Sequence, residues 1–265
     1  MTPTDLLRRA GLPDARPERL SGGDMGQVWR CGDHVVKQCA DAPPGLFAAE
    51  ARGLSTLAAA GIRVPEVHLV DARGLVMRWL PPGPEAPKDL GAQIAAAHAV
   101  TAPTYGADDP VFLGRFPLPA GRNTEGHAFF IEHRLTPLLR ATWTQLGDLG
   151  PRLDRLLSHY RPPLEGPRLL HGDLWSGNVL MTPAGAALID PSVWHGERAV
   201  DLAMMALFGG FSPRVYAAYT AHHPIPREVT EALPYYQLYF LLVHVHFFGV
   251  SYCRSVEQAI RRCGG

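Results

Sequence analysis

Four residues, Pro81-Pro82-Gly83-Pro84, split this chain into two stretches of different character. Proline fixes φ and lacks an N–H, so such a run neither extends a helix nor joins a sheet interior. It acts as a stiff spacer between packed units. Upstream the pattern is mostly extended. Short strand-like pieces occur at Leu20 and over 27–30, 35–38, 67–71 and 75–79, separated by turn signals such as Cys31-Gly32-Asp33 and Ala72-Arg73-Gly74. One helical stretch, 45–60, opens after Pro43-Pro44 and stops at Gly61. Downstream, helical patterns dominate: 89–100, 129–142, 143–160, 198–208, 213–222, 227–248 and 251–262. Three very short strands, 168–171, 179–181 and 187–189, interrupt them. The Pro/Gly-rich segment 101–123 is expected to be a long irregular loop, a kind that is usually functional. Strands segregated from helices give an α+β fold class. The expected organisation is an N-lobe over 1–80, a hinge over 81–84 and a C-lobe over 85–265, with a ligand cleft between the lobes.

Composition narrows the function classes. Of 265 residues, 46% are hydrophobic and 19% charged, enough apolar material for a core. Lys+Arg and Asp+Glu are each 25, a balance that argues against coating nucleic acid or an anionic membrane. The longest apolar run, 239–250, is broken by His244 and His246 and is too short to span a bilayer. Those two histidines, two apart on a helix, do not share a face and make a poor metal pair. His98 and His171 are expected to order loops by hydrogen bonds. Cys31, Cys39, Cys253 and Cys263 form no C-x-x-C pair, which excludes a zinc ribbon and suits a reducing compartment. The first twelve residues include Asp5, Arg8 and Arg9 and lack the apolar region of a signal peptide. The expectation is a cytoplasmic protein, monomeric, with neither a nucleic-acid nor a membrane partner.

The segment His171-Gly172-Asp173-Leu174-Trp175-Ser176-Gly177-Asn178 has the D-x-x-x-x-N spacing of a kinase catalytic loop. In such a loop Asp173 can accept the proton of an attacking hydroxyl, and Asn178 can turn its side-chain oxygen to a magnesium ion. Asp, Ser, Gly and Asn are also ordinary turn formers, so the spacing alone equally describes an Asx-rich turn. Strands 179–181 and 187–189 then form a hairpin through Thr182-Pro183-Ala184-Gly185, which returns Asp190 beside Asn178. Two oxygen ligands there suit a hard cation, although Asp190 before Pro191 also fits a turn start.

Ser21-Gly22-Gly23-Asp24-Met25-Gly26-Gln27-Val28 fits the kinase glycine-rich template with serine in the first glycine slot. The bare backbone at Gly22, Gly23 and Gly26 can approach phosphate oxygens; a plain hairpin turn is the competing description. No G-K-[ST] follows, and the loop opens a strand, so neither a Walker loop nor a Rossmann fingerprint is encoded. On the strand 35–38, Lys37 shares a face with Val35, opposite Val36. On the helix 45–60, Leu46, Glu50, Leu54 and Leu57 share one face. A carboxylate on an apolar stripe needs a partner. Lys37 is one candidate; Arg52 or solvent are the others.

In chain order, the segment 171–178, then Ile189-Asp190-Pro191, then Gly196-Glu197-Arg198-Ala199-Val200-Asp201-Leu202-Ala203 resemble the fructosamine kinase (ketosamine-3-kinase) family, within the aminoglycoside-phosphotransferase and choline-kinase group. Phe129-Phe130 ahead of Arg134-Leu135 fits as well, as does Phe208-Gly209-Gly210-Phe211, so the resemblance covers nearly the whole chain. It implies a protein-kinase-like fold, ATP and Mg2+ as cofactors, and a ketosamine partner as substrate. It makes Asp173 the catalytic base, Asn178 and Asp190 the magnesium ligands, and Lys37 with Glu50 the phosphate-positioning pair. Met77 and the backbone around Trp79 and Leu80 would receive the adenine. Trp175, two residues after the base, would wall the sugar pocket. Asp201 would brace the catalytic loop by accepting backbone hydrogen bonds; a charge favourable to the helix dipole is its simpler role.

Three departures from the family pattern fall, on this expectation, on the substrate side. His127-Ala128 stand where a tryptophan often precedes the Phe-Phe pair. Ser192-Val193-Trp194-His195 replace Ala-x-Tyr-Tyr, and Ala199 replaces a glutamate. The expected activity is phosphorylation of O3 of a fructosamine or ribulosamine, whose phosphate is a leaving group, so that the amine is freed. An aminoglycoside or choline kinase of the same fold is the alternative. Such cationic substrates want acidic or aromatic-cage walls, and 101–123 holds Asp108-Asp109 but no acidic run. A pseudokinase would lack one of Lys37, Asp173, Asn178 or Asp190, and all four are present.

Overall fold

The computed structural model describes residues 1–20 and 26–264, so the expectations for Gly22 and Gly23 lie outside the described residues. The chain begins with a short helix, α1 (Pro3–Arg9), that the sequence pattern had not suggested. Thr2 and Asp5 cap it reciprocally, each side chain accepting the other's backbone N–H. Strands β1 (Pro17–Arg19), β2 (Gln27–Cys31) and β3 (His34–Gln38) follow, then α2 (Leu46–Ala59), β4 (Val67–Asp71) and β5 (Gly74–Arg78). They form a five-stranded antiparallel sheet in the order β1-β2-β3-β5-β4. Alternation along the strands serves both faces. Val36 and Val76 pack with Leu6 and Leu7 of α1, while Leu75 and Met77 pack with Phe47 and Leu54 of α2. Phe47, not Leu46, fills the first buried position of α2; Leu46 is half-buried.

The C-lobe starts with α3 (Pro87–Ala99). The segment expected to be irregular carries four three-residue strands: β6 (Tyr105–Ala107), β7 (Val111–Leu113), β8 (Phe116–Leu118) and β9 (Gly121–Asn123). β7 and β8 form a hairpin, and β6 pairs with β9 around it. Strands of three residues are too short to show a period, which is why the sequence pattern missed them. Next come α4 (Gly126–Phe130), a π-helical turn (Ile131–Leu135), α5 (Thr136–Leu146) and α6 (Leu149–His159). The helix break falls at Gly147, with φ +53°, and not between Thr142 and Trp143, because a glycine can leave the helix in a conformation closed to Trp143. β10 (Arg168–Leu170), β11 (Val179–Thr182), β12 (Gly185–Leu188) and β13 (Trp194–Gly196) surround the catalytic-loop segment, and α7 (Ala199–Phe208), α8 (Pro213–His222), α9 (Arg227–Phe248) and α10 (Cys253–Arg262) complete the chain. Among the described residues, no helix is long and apolar enough to cross a membrane.

The β11–β12 hairpin is tied to both lobes. Asp89 of α3 accepts from Arg63 Nη1 at 2.9 Å, Gln93 Nε2 at 2.8 Å and the Ala186 N–H at 2.8 Å, while the Arg63 carbonyl accepts from Leu188 at 2.9 Å. The Pro-rich segment also touches it: the Gly83 N–H donates to the Met181 carbonyl at 2.8 Å. A Cβ at Gly83 would fall on the Thr182–Pro183 backbone. Gly83→Ala is therefore an overpacking change, expected to cost about 1–3 kcal/mol. Thermal unfolding reads this as a lowered Tm; an unchanged Tm would show that the hairpin yields freely.

Candidate active site

The loop after β10 is shaped by crossing chains. The Ser192 N–H donates to the His171 carbonyl at 2.8 Å. Between them, Gly172 has φ +81°, and a Cβ there would fall on the Ser192 carbonyl oxygen, so only glycine fits. His171 is buried; its Nε2 donates to the Ile189 carbonyl at 2.9 Å, and its Nδ1 faces the Asp173 N–H at 3.3 Å. Burial pushes its pKa down, which favours this neutral form. Asp201 accepts the His171 N–H at 2.7 Å and the Gly172 N–H at 2.8 Å, the arrangement expected of a loop brace.

Asp173 and Asn178 meet directly. Asn178 Nδ2 donates to the Asp173 backbone oxygen at 2.9 Å and to its carboxylate at 3.1 Å. The Asn178 side-chain oxygen is then the atom free to face a cation. The hairpin register brings the chain ends together, since the Ile189 N–H donates to the Asn178 carbonyl at 3.0 Å. Asp190 follows at φ +55°, the one non-glycine residue with positive φ among the described residues. Aspartate tolerates that conformation better than branched residues do, and such strain concentrates at functional sites.

Lys37 reaches into the same place from β3. Its Nζ lies 2.6 Å from Glu50 Oε1 and also bonds Asp190 Oδ1. Glu50 thus pairs with Lys37, while Arg52 pairs with Asp109 at 3.2 Å. Burial lowers the stability of the Lys37 charge, but the two carboxylates overcome this and hold it protonated well above its usual range. Burial, reinforced by Asp190, pushes Glu50 up to about 7 against the pull of Lys37. Burial also pushes Asp173 up to about 7, with the Asp190 charge second and the Asn178 hydrogen bond opposing. Asp190 and the Asn178 side-chain oxygen offer oxygen donors, which fit a hard cation that keeps its remaining positions for phosphate and water. No cluster of three or more His, Cys, Asp or Glu able to hold a metal alone is found among the described residues.

The other expected residues are spread around this centre. Gly26 lies just before β2, against the Gln38 carbonyl. Met77 is buried under α2. The Trp79 ring carries the Arg30 guanidinium at 4.8 Å, and the Trp79 N–H is spent on the Asp33 carbonyl at 2.8 Å. An adenine would therefore have to use other backbone groups near Leu80. Trp175 is 40% exposed, with its ring over Gly177, so it is not a core residue. Beside the loop lies a segment that the sequence tied to the family without a role. A Cβ on Gly210 would fall on the Ser176 side chain, which places Phe208-Gly209-Gly210-Phe211 against the loop. Phe208 in turn stacks on His244 at 4.7 Å, and His244 on Phe248 and Tyr252 at 5.4 and 4.9 Å. The i, i+4 spacing of His244 and Phe248 was the available signal. Of the residues that depart from the family pattern, Trp194 and Ala199 lie in the core, whereas His127, Ala128, Val193 and His195 are half-buried.

A model of the fructosamine kinase family matches residues 11–264. A Thermus thermophilus protein named a probable ketoamine kinase is 52% identical over 262 residues, covering 98% of this chain and 99% of its own. A Thermobifida fusca structure carrying the fructosamine-3-kinase name aligns with a TM-score of 0.82 at 33% identity, over 99% of this chain and 98% of that one. An aminoglycoside phosphotransferase solved with ADP and hygromycin B shares the fold, with a TM-score of 0.62 at 16% identity over 100% and 99% of the two chains.

The raised pKa of Asp173 has a thermodynamic sign. The folded chain keeps this carboxyl protonated up to about 7, whereas an unfolded aspartate ionises near ~3.9. Stability therefore falls as pH rises through that window, and the penalty is complete above the folded value. Asp173→Asn removes it. Without nucleotide or metal, the variant should have a higher Tm than the wild type at pH 8, with the gap closing toward pH 4. Equal Tm values at pH 8 would contradict this.

Proposed function

This chain belongs to the fructosamine kinase family and is an ATP-dependent phosphotransferase; we propose that it phosphorylates the 3-hydroxyl of a ketosamine such as a fructosamine or ribulosamine. The observation that carries the reading is the meeting of Asp173, Asn178, Asp190 and Lys37 in one place, on elements from both lobes. We take residues 81–84 as the hinge between those lobes. Asp173 is the base that accepts the proton of the attacking hydroxyl; at a pKa near 7 it can both take and release that proton near neutral pH. Lys37, held by Glu50, positions the phosphates. Asn178 and Asp190 hold a magnesium ion, which when bound neutralises phosphate charge. Trp175 offers its exposed ring to the apolar face of the sugar.

The product gives the reaction its purpose. Enolisation of the ketosamine toward C1 lets the phosphate on C3 depart, and hydrolysis then frees the amine. The enzyme would thereby act in deglycation, in the cytoplasm, on free or protein-bound amines.

Incubation with ATP, magnesium and fructosyl-lysine should give a 3-phosphate identifiable by phosphorus NMR, followed by free lysine. Turnover of choline or an aminoglycoside in its place would overturn the acceptor assignment. Trp175→Ala should raise KM for fructosyl-lysine far more than KM for ATP, the loss of a stacking wall being worth about 1–3 kcal/mol. Equal changes in both KM values would remove Trp175 from the acceptor pocket. Asp190→Ala should abolish magnesium-dependent ATP binding in calorimetry; unchanged binding would return Asp190 to the role of a turn residue.

A further inference from the structure

Asp201 is fully buried in the first turn of α7 and meets a third donor beyond the two catalytic-loop N–H groups. His98 of α3 places Nε2 3.1 Å from Asp201 Oδ2. Its other nitrogen, Nδ1, lies 2.9 Å from the Tyr219 hydroxyl on α8. Arg198 Nη1 donates to that hydroxyl oxygen at 3.1 Å. Both oxygens of Glu165 hold Arg198, at 2.7 and 2.8 Å, and the Pro224 carbonyl accepts from it at 2.7 Å. His98, Tyr219 and Arg198 are all buried.

The chain of donors runs in one direction. A guanidinium only donates, so the Tyr219 oxygen accepts from Arg198 and its O–H is left for His98 Nδ1. An ionised carboxylate only accepts, so Nε2 must carry the ring proton. The opposite tautomer would set a bare nitrogen against the Asp201 carboxylate. Which ring nitrogen is protonated is fixed by the bond the other one makes.

We infer that His98 is a positioning residue for phosphoryl transfer. It fixes the rotation of the Asp201 carboxylate, and through it the His171 and Gly172 backbone and the reach of Asp173. Tyr219 acts through His98 by setting its tautomer. The inference rests on the role proposed above for Asp173 but not on the identity of the acceptor.

The test compares His98→Leu, His98→Gln and Tyr219→Phe with Asp173→Asn, measuring kcat, both KM values and Tm. His98→Leu should lower kcat by about 10–100-fold with both KM values within about twofold of wild type, because a misplaced base loses rate and not ground-state binding. His98→Gln keeps an N–H near the Nε2 position and should recover most of that rate. Tyr219→Phe should lower kcat in the wild-type background and change nothing further beside His98→Leu, since coupled residues are not additive. If His98 only fills space, the Leu and Gln variants will differ in Tm but share the wild-type kcat, which overturns the inference. If His98→Leu does not fold, an unchanged kcat in Tyr219→Phe overturns it instead. An active Asp173→Asn would refute the proposed base and leave the His98 comparison to be judged separately.

Discussion

One ammonium group holds the two lobes in a common frame. Lys37 extends from β3, Glu50 from α2 and Asp190 from the end of the β11–β12 hairpin, and the three charges meet at one partly buried point. Burying them is costly, and the Coulomb gain offsets that cost only while all partners stay in place. Burial pushes Glu50 up to about 7, with the Asp190 charge adding to it against the pull of Lys37, while Lys37 stays protonated. Such a centre favours an added positive charge, and a hard cation on Asp190 and Asn178 would supply it. The same contact fixes α2 against the C-lobe, where Gly53 leaves room for Pro191 and Val193 just after Asp190.

The catalytic loop is held by a different means. Its backbone N–H groups are taken up by Asp201, its His171 side chain by the Ile189 carbonyl, and its Gly172 lies under Ser192. Each is a buried polar group with a partner, and leaving any one unmade would cost about 1–3 kcal/mol. The loop therefore has little freedom to relax. Asp173 keeps a raised pKa because it is desolvated in this loop and faces the Asp190 charge, with the Asn178 hydrogen bond opposing.

What the sequence could and could not reveal follows from the range of each interaction. Asn178 and Asp190 were legible as neighbours because a hairpin register is local, and Lys37 and Glu50 because periods of 2 and 3.6 place each on a face. Asp201 as a loop brace came only through family resemblance. The strands β6–β9 were hidden by their length, and α1 by its brevity. His98 comes to Asp201, and Tyr219 to His98, from helices far apart in the chain, and no pattern within one element encodes such a meeting. Leu46 and Phe47 exchanged places because a helical stripe predicts a face and not which of two adjacent residues turns fully inward. The glycine-rich loop was legible as a motif, but of its three glycines only Gly26 belongs to the described residues.

The departures from the family pattern also gain a physical meaning from their position. Trp194 stands two residues after Ser192, the residue that crosses the catalytic loop, and it is buried. The Arg134 guanidinium lies over its ring at 4.6 Å and over Phe129 at 4.7 Å. Arg134 comes from the π-helical turn between α4 and α5, and its Nη1 donates to the Pro119 and His133 carbonyls. Burial pushes this guanidinium down to about 10, so the electron-rich ring faces matter to its charge. Phe129-Phe130 and Arg134, conspicuous as a motif, thus serve the rear of β13. The wider tryptophan ring gives the cation a better face than tyrosine would. Trp194 is buried, so it offers no open face of its own. Under the function proposed above, the exposed ring of Trp175 is the better placed to discriminate among acceptors.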